Sequence, residues 1–429
     1  MLRLGSVSSL SRRVLAWSLA TPVLAFGLTA ACGLDVLGEL EPSIDEDGAA
    51  PDGGRSPVDG DAGARPDGSL PDAEAPETCE WPALERGAPW PMIGGCVRHP
   101  GRTVHRGPKK QPKIVWEVSV TTRETHPVIG ADDTVYLGAN MGGLVAVGPD
   151  GGRRPLADAG TGQANNVTNV PSIGEDGTLY FGAERNVVAL GKDGIRWRSA
   201  TEGEVDTSTL VDEDGTVYSG SFDDAIHAFG PDGGLRWKVD LGDDVWAAAA
   251  MGPTGSIYIG ANNRLFALQR DGGESWRFTT GGDIHSSPVV ADDGTVYIGT
   301  TGAQLHAIGP DGGALWRLDT KAGFGWQQLP ALGHDGTIYA PTGAFLTAVA
   351  PDGGVKWERN VGTSLRTSVV VDADGDVYVG GNGRMFAHAP NGDQLWSLEL
   401  RANAFGFAIG RDGTIYVACD GDKLLALHE

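Results

Sequence analysis

Short runs of alternating apolar and polar residues recur along most of the chain, and they are separated by Asp-Gly or Pro-Asp-Gly-Gly sequences. A representative copy reads SSPVVADDGTVYIGTTGAQLHAIGPDGGALWRL, from Ser286 to Leu318. Alternation with a period of two is typical of β-strands, and Asp-Gly between two such runs is a strong hairpin signal. Each copy therefore predicts four strands, which here are SSPVV, TVYIG, LHAIG and LWRL.

The chain contains eight tyrosines, and all of them occupy the same position of this repeat. Their spacings are 44, 38, 40, 39, 42, 39 and 38 residues, along the series Tyr136, Tyr180, Tyr218, Tyr258, Tyr297, Tyr339, Tyr378 and Tyr416. A period near 40 with four strands per copy indicates a β-propeller, in which each repeat forms one blade. We therefore predict an all-β fold, an eight-bladed β-propeller of four-stranded blades.

The last repeat is one strand short, because the chain ends three strands into it, at LLALHE. A strand-like segment, IVWEV around Trp116, precedes the first repeat. We predict that this N-terminal strand joins the last blade and closes the ring, which would leave no sheet edge open. Most repeats carry a Trp in the fourth strand, but the first has Pro155 near that place.

The first 31 residues predict export. They combine Arg3, Arg12 and Arg13 with an apolar run from Val14 to Leu28 and small residues before Cys32, the layout of a secretory signal. A cysteine after small residues resembles the lipobox of bacterial lipoproteins, whose thiol is acylated. Thr29 departs from that pattern, and plain secretion is the alternative. The predicted location is the bacterial cell envelope, with the choice between inner and outer membrane left open.

Residues 32–80 are predicted to form an acidic, disordered tether behind the acylated cysteine. Gly33–Glu80 holds fourteen acidic residues against two arginines, about half of the chain's net charge of −23. Such a segment cannot bury enough apolar surface to fold. The acidic balance argues against nucleic acid as a partner and against adsorption to anionic lipid headgroups. Membrane attachment is therefore assigned to the lipid on Cys32.

A lead-in segment, residues 81–113, precedes the propeller at 114–429. Cys79 and Cys96 bracket its Trp- and Pro-rich start and are predicted to form a disulfide, as suits an oxidising compartment. A Cys96–Cys419 bridge is the alternative; otherwise Cys419 is a buried, small apolar residue. These spacings do not resemble a zinc site.

No metal site is predicted elsewhere either. Asp372, Asp374 and Asp376 form a carboxylate-rich loop, but its glycine comes too early for a calcium loop and no Glu closes it. Related acidic turns occur at this place in the other repeats, so a hairpin turn is the better interpretation.

One repeat position varies where the framework does not. Twelve residues before each Tyr, at the predicted start of the innermost strand, stand Glu124, Thr168, Asp206, Trp246, His285, Gln327, Arg366 and Ala404. The first strand of each blade lines the channel of a propeller, so these residues should ring one mouth. An aromatic among polar groups suits recognition. We predict a binding rim from Glu124, Asp206, Trp246, His285, Gln327 and Arg366; freely drifting, water-facing loops are the alternative.

The unit DGTVYIG…LHAIGPDGGALW resembles the repeat of the pyrroloquinoline-quinone (PQQ)-like propellers, and WPMIGGCVRHPGRT (Trp90 to Thr103) resembles the segment that often precedes such rings. The resemblance covers about residues 88 to 429. The order of acylated Cys, tether and eight such blades is similar to that of the BamB-type lipoproteins of outer-membrane β-barrel assembly. This resemblance implies a non-enzymatic protein-binding or scaffold propeller whose partner is an envelope protein.

Two other functions stay open. The channel mouth could bind an envelope polysaccharide or a peptide. The repeat type also resembles that of quinone-dependent dehydrogenases, which implies a bound quinone, a calcium ion and a catalytic Asp. This chain lacks the adjacent cysteines of those enzymes, and no long insertions separate its repeats. We therefore predict neither a cofactor nor catalytic residues.

Overall fold

The computed structural model describes residues 81–121, 125–139, 143–154, 156, 167, 169–325 and 328–429. All of them belong to one compact unit, Ala64–Glu429. The predicted signal peptide, the tether, Cys32 and Cys79 lie outside the described residues, as do Glu124 and Gln327. In the described part of the chain, the only helix is a 3-10 turn at Ile93–Gly95, and no helix is long and apolar enough to cross a membrane.

The strands form eight four-stranded sheets, called blades 1 to 8 here. Strand β1 (Lys113–Ser119) precedes the repeats. Blades 1 to 4 contain β2 (Val128–Ile129), β3 (Val135–Ala139), β4 (Gly143–Val147), β5 (Arg153–Arg154); β6 (Ser172–Ile173), β7 (Leu179–Ala183), β8 (Asn186–Gly191), β9 (Gly194–Ala200); β10 (Leu210–Val211), β11 (Val217–Ser221), β12 (Ala225–Phe229), β13 (Leu235–Asp240); and β14 (Ala250–Met251), β15 (Ile257–Ala261), β16 (Arg264–Leu268), β17 (Glu274–Thr279).

Blades 5 to 8 repeat the arrangement. They contain β18 (Val289–Val290), β19 (Val296–Thr300), β20 (Gln304–Ile308), β21 (Ala314–Asp319); β22 (Ala331–Leu332), β23 (Ile338–Thr342), β24 (Phe345–Val349), β25 (Val355–Asn360); β26 (Val370–Val371), β27 (Val377–Gly381), β28 (Arg384–His388), β29 (Gln394–Glu399); and β30 (Ala404–Ile409), β31 (Ile415–Cys419), β32 (Lys423–His428), completed by β1. The predicted eight-bladed, all-β fold is confirmed.

The four strands of a blade differ in burial because only the outermost one faces water. In blade 5 the inner strand β18 and the middle strands β19 and β20 are almost wholly buried, while the outer strand β21 alternates between exposed and half-buried positions. The inner strand is only two residues long, shorter than the predicted SSPVV run. The hairpin prediction holds at Gly294, whose φ of +85° is the left-handed conformation that glycine adopts without strain.

The tryptophans of the outer strands connect each blade to the next one by a hydrogen bond. At five consecutive junctions the indole Nε1 donates a hydrogen bond of 2.7–2.9 Å to a carbonyl in the Pro-Asp-Gly-Gly-type turn of the following blade: Trp197 to Pro231, Trp237 to Arg270, Trp276 to Pro310, Trp316 to Pro351 and Trp357 to Pro390. Each ring also packs on the repeat Tyr of its own blade, as Trp276 does on Tyr258 with centroids 5.6 Å apart. The Trp and Tyr positions of the repeat are therefore packing positions.

A glycine of the second strand leaves room for a side chain of the following blade. A Cβ on Gly220 would lie 2.4 Å from Val245, and one on Gly299 would lie 2.2 Å from Phe324. Real Cβ atoms do not approach this closely, so the repeated glycine at this position is required by close packing between blades.

Blade 8 combines the two ends of the described chain. Strand β1 pairs antiparallel with β32, and Lys113 lies opposite His428. Trp116 in β1 packs on Tyr416 and donates to the carbonyl of Pro149 in blade 1 at 2.9 Å. We keep closure of the ring by this strand as a prediction and give its test below.

The lead-in segment crosses one end of the channel. It is bonded to the second residue of the inner strand in seven blades, through the contacts Trp90–Ile129, Pro91–Ile173, Trp81–Val211, Val97–Met251, Arg98–Val290, Pro100–Leu332 and Gly101–Val371. In blade 8 the Arg411 side chain donates to the carbonyl of Gly87 at 2.8 Å. Trp90, Met92 and Ile93 of the lead-in segment are buried. We call this the lead-in end and the opposite mouth the rim.

Candidate functional site

The rim is formed by the loops that enter the inner strands. Asp206, Trp246, His285 and Arg366 each lie four residues before an inner strand begins, so they occupy loops and not the strand start that the sequence predicted. The difference arises because the inner strand forms ladder hydrogen bonds over only two residues. Ala404 does begin a strand, β30, but it is buried there.

Trp246 and His285 of neighbouring blades meet at the rim. Their ring centroids are 5.9 Å apart, and Trp246 also packs on Phe222 at 4.3 Å. Phe222 lies in the hairpin between β11 and β12, on the same side of blade 3 as the rim loops. All three side chains are half-buried. We call Phe222, Trp246 and His285 the aromatic row.

Sequence reasoning missed Phe222, although a signal was present. In blade 3 the residue that follows the second strand is Phe222, whereas the residue at this position in the other blades is Asn140, Glu184, Asn262, Thr301, Gly343, Asn382 or Asp420. An aromatic residue in a turn that is otherwise polar or small indicates a side chain with a role outside the blade.

Each residue of the aromatic row has an Asp within two positions of it in the chain. Asp223, next to Phe222, contacts His227 at 3.0 Å and Lys238 at 3.1 Å. Burial of Asp223 opposes its ionisation, but hydrogen bonds from these two side chains outweigh burial and lower its pKa to about 2. It therefore stays charged at neutral pH.

Three further acids lie in or near the loop that carries Trp246. Burial raises the pKa of Asp244, and the neighbouring charges of Asp224 and Asp243 raise it further. Burial also lowers the pKa of His285, an effect that Asp283 opposes. The part of the rim on blades 3 to 5 is thus aromatic and acidic.

Arg366 stands apart from this group. It is exposed on blade 7, and its guanidinium lies 5.5 Å from the ring centroid of Phe405 in blade 8, a cation–π distance. The structure therefore brings together two of the predicted rim residues, Trp246 and His285. It places Asp206 on the adjacent blade 3 and Arg366 on a different sector.

The carboxylate-rich turn of blade 7 anchors the lead-in segment. Asp372 is buried and accepts hydrogen bonds from the backbone N–H of Gly107 at 2.9 Å and from the Tyr378 hydroxyl at 3.1 Å. Asp374 pairs with Arg106 at 3.0 Å and Lys109 at 2.8 Å. Across the described residues, no group of three His, Cys, Asp or Glu side chains is arranged to hold a metal ion.

The structure excludes one of the two disulfides that the sequence left open. Cys419 is a free, buried thiol, and burial raises its pKa to about 12. A Cys96–Cys419 bridge is therefore wrong. Cys96 is disulfide-bonded; its predicted partner, Cys79, lies outside the described residues, so that pairing stays a prediction.

The repeats match a known family model. The model for the outer membrane protein assembly factor BamB matches residues 261–343 and again 342–429. Residues 261–429 therefore carry PQQ-like repeats, within a chain that folds as an eight-bladed β-propeller. The resemblance inferred from the repeat is confirmed. No curated protein matches the chain.

Three solved structures share this PQQ-like propeller fold. BamB from Moraxella catarrhalis superposes with a TM-score of 0.58 at 14% identity, covering 74% of this chain and 100% of its own. Quinohemoprotein alcohol dehydrogenase from Comamonas testosteroni gives 0.64 at 14% identity and 81% of both chains. A europium-containing methanol dehydrogenase gives 0.59 at 12% identity, with 80% of this chain and 90% of its own. At such identities the likeness establishes the fold alone.

Proposed function

We propose that this PQQ-like propeller is a non-enzymatic lipoprotein of the bacterial cell envelope that binds another envelope protein through its rim. In this proposal Cys32 carries the lipid, residues 33–80 form the tether, and the propeller presents the rim to its partner. The similarity to BamB supports a scaffold role. The observation that carries the binding proposal is the aromatic row.

Half-buried aromatic rings are well suited to a protein interface. A Trp held between Phe222 at 4.3 Å and His285 at 5.9 Å is already ordered, so binding would order fewer side-chain torsions. Trp is among the residue types that dominate interface energetics when a partner desolvates them. Charged groups around such an anchor favour a partner of opposite charge and speed its association.

The other predicted rim residues have supporting roles in the proposal. Asp206 extends the acidic sector on blade 3, and Arg366 with Phe405 provides a second, cationic contact on blade 7. Glu124 and Gln327 are proposed as rim members by their place in the repeat.

A glycan or peptide ligand is the second candidate. Sugar rings pack on aromatic faces while their hydroxyls bond to carboxylates, and the aromatic row lies beside such groups. Quinone-dependent alcohol oxidation is the third, because two of the similar structures are dehydrogenases. Dye-linked oxidation of primary alcohols after addition of the quinone and calcium would establish it.

The anchor can be tested separately. Cells expressing the protein are labelled with an alkyne analogue of palmitate, and the wild type is compared with Cys32→Ala. We expect label in the membrane-bound wild type and none in the variant. Equal labelling of both proteins would show that Cys32 is not the acylated residue.

The rim is tested by crosslinking in the native envelope followed by affinity capture and mass spectrometry. Wild type is compared with the double variant Trp246→Ala/His285→Ala. The matched control is Leu315→Ala, which removes an apolar side chain that is 58% exposed on the outer strand of blade 5. We expect a specific membrane or periplasmic protein with wild type and control, and its loss with the double variant. Retention by the double variant would contradict the rim proposal, and capture of glycan alone would favour the second candidate.

A further inference from the structure

The lead-in end contains a cavity of about 560 Å³. Small-molecule sites typically enclose a few hundred to a thousand cubic ångströms. The lining includes Trp81, Leu84, Arg102, His105, His334 and Arg411. It is separate from the rim, because these residues belong to the lead-in segment and to turns at the opposite end of the blades.

Two stretches of the lead-in segment form the walls. The first, residues 84–91, is fixed to blades 1 and 2 by the bridge of Trp90 to Ile129 and by the bond from Ile173 N–H to the Pro91 carbonyl at 2.9 Å. The second, around Gly101 and Thr103, is fixed to Val371 of blade 7 by bonds of 2.8 and 2.9 Å. Backbone bonds to inner strands hold the space between the walls open.

Two arginines face the cavity from different elements. Arg411, on the turn of blade 8, uses Nη2 to bond the carbonyls of Gly87 and Ala131 at 2.8 and 3.1 Å. Arg102 lies 3.5 Å from Asp292, whose other oxygen accepts a shorter bond of 2.6 Å from Arg98. Arg411 Nε also lies 3.6 Å from Asp133 Oδ1. Since a guanidinium has five N–H donors, these contacts leave the Nη1 donors of Arg411 and further donors of Arg102 for a ligand.

Two histidines also line the cavity, but the Nε2–H of His334 is already bonded, so the donor they offer a ligand is that of His105. His334 of blade 6 contacts the Asp372 carbonyl through Nε2 at 3.0 Å, so that nitrogen carries the proton. His105 is half-buried, and burial together with nearby Arg411 lowers its pKa. The lining acid Glu85 is occupied structurally, because its Oε2 accepts the backbone N–H of Ala131 at 2.9 Å.

Most of the remaining lining is apolar, and Arg86 and Thr103 are its other polar members. Trp81 is fixed by the bond from its Nε1 to the Val211 carbonyl at 3.1 Å, and Leu84 is fully buried. Pro89 and Pro91 complete this side. A ring or short aliphatic group would be desolvated against these side chains while its charged end meets the arginines.

We propose that this cavity binds a small organic anion, a carboxylate or phosphate joined to a compact apolar or aromatic body. In a chain whose net charge is −23, converging arginines at a partly enclosed site are not a general surface property. Guanidinium groups bind both carboxylate and phosphate oxygens in a bidentate manner. The site is independent of the rim and of the partner proposed for it.

The test uses the purified full-length protein and titration calorimetry with phenyl phosphate and benzoate as probes. Inorganic phosphate and benzyl alcohol represent the two halves of the ligand. We expect at least one aromatic anion to bind, and to bind more tightly than either half. We expect Arg411→Ala to weaken this binding at least tenfold. Ala88→Trp, which fills the cavity without removing an arginine, should abolish it.

Two variants provide the controls. Arg277→Ala removes an arginine paired with Glu274 on the outer strand of blade 4 and should leave probe binding unchanged. Trp246→Ala/His285→Ala should also leave it unchanged, so failure of the rim proposal is distinguishable from failure of this one. Absence of binding by both probes, equal binding of inorganic phosphate, or full binding in Arg411→Ala and Ala88→Trp would each overturn the proposal.

Discussion

At the lead-in end of the channel, the inner strands bond to the lead-in segment through their backbones, whereas at the rim the loops meet through side chains. The same strand residue is used in blade after blade at the lead-in end, as at Met251, Val290 and Leu332. At the rim, one repeat position holds Asp206, Trp246, His285 or Arg366. Backbone bonding does not depend on side-chain identity, so it can join one segment to six of the blades, while Trp81 and Arg411 supply side-chain bonds to blades 3 and 8.

The difference between the two ends of the channel indicates that the lead-in end contributes to stability and the rim to recognition. The lead-in end buries Trp90, Met92 and Ile93 and covers the channel, so changes there should affect the whole fold. The rim leaves its aromatic row half-buried, so changes there should affect binding first. Four predictions test this division, from the largest expected effect to the smallest.

Trp90→Ala should cause the largest loss of stability. The side chain is 3% exposed, and its ring lies 3.1 Å from the position of a Cβ on Gly95, so truncation leaves a cavity. We expect a loss of about 3–5 kcal/mol in the free energy of unfolding, measured by urea denaturation. Trp246→Ala at the rim should lose less than about 1 kcal/mol; equal losses would contradict the division.

Cys79→Ser should be nearly as destabilising if Cys79 pairs with Cys96. A loop of this length gives a stabilisation of about 3 kcal/mol by restricting the unfolded chain. Non-reducing peptide mapping should find a Cys79–Cys96 peptide in the wild type. Cys419→Ala is the matched control, since its thiol is free, and the mapped bridge should persist there. A mapped Cys96 thiol would contradict the pairing.

Lowering the pH should reduce the stability of the folded protein through His99, which lies at the lead-in end. Its pKa is lowered to about 4 by burial, which a hydrogen bond to the Pro288 carbonyl only partly offsets. Between about pH 6.5 and 4 the unfolded chain binds a proton that the folded one excludes, so stability falls as pH falls, by at most about 1.4 kcal/mol per pH unit. His99→Asn should reduce this slope in denaturation curves but not remove it, because burial also lowers the pKa of His126 to about 4.

A histidine at the rim, His285, provides the control for this pH dependence of stability. His285 is half-buried, and although burial lowers its pKa, Asp283 opposes the effect. His285→Asn should therefore change the pH dependence less than His99→Asn does. An unchanged slope in His99→Asn would show that acid acts elsewhere.

Trp116→Ala tests closure of the ring by the N-terminal strand. Trp116 makes the same contacts as Trp276, a ring contact within its blade and a bond of 2.9 Å to the next one. If the strand closes the ring, the two Ala variants should lose similar amounts, about 2 kcal/mol each for a half-buried ring. A much smaller loss of unfolding free energy for Trp116→Ala would indicate that the contacts of Trp116 do not close the ring.

The repeat was predictable because its signals are local. Asp-Gly turns require a positive φ, and Gly294 adopts one; alternation marks the buried faces of the strands. The inner strand was predicted too long because its pairing depends on the neighbouring strand. The hydrogen bond by which Trp276 connects two blades could not be predicted, since its acceptor, the Pro310 carbonyl, belongs to another blade.

The candidate sites divide in the same way. The sequence showed that one position varies, and Trp246 and His285 do meet. It could not show Phe222 beside them, because that hairpin is in a different blade and 24 residues away from Trp246 in the chain. Arg411 and Arg102 are more than 300 residues apart, so their shared cavity was invisible to any motif.

By itself the sequence determined the number of blades, the strands within them and the turns that join them, because each follows from residues within one repeat. It also identified the variable rim position and predicts export, which stays a prediction. Only the tertiary structure decided which blades touch, where the lead-in segment lies and which side chains converge at either end of the channel. Those features depend on contacts between residues far apart in the chain, and a local pattern carries no record of them.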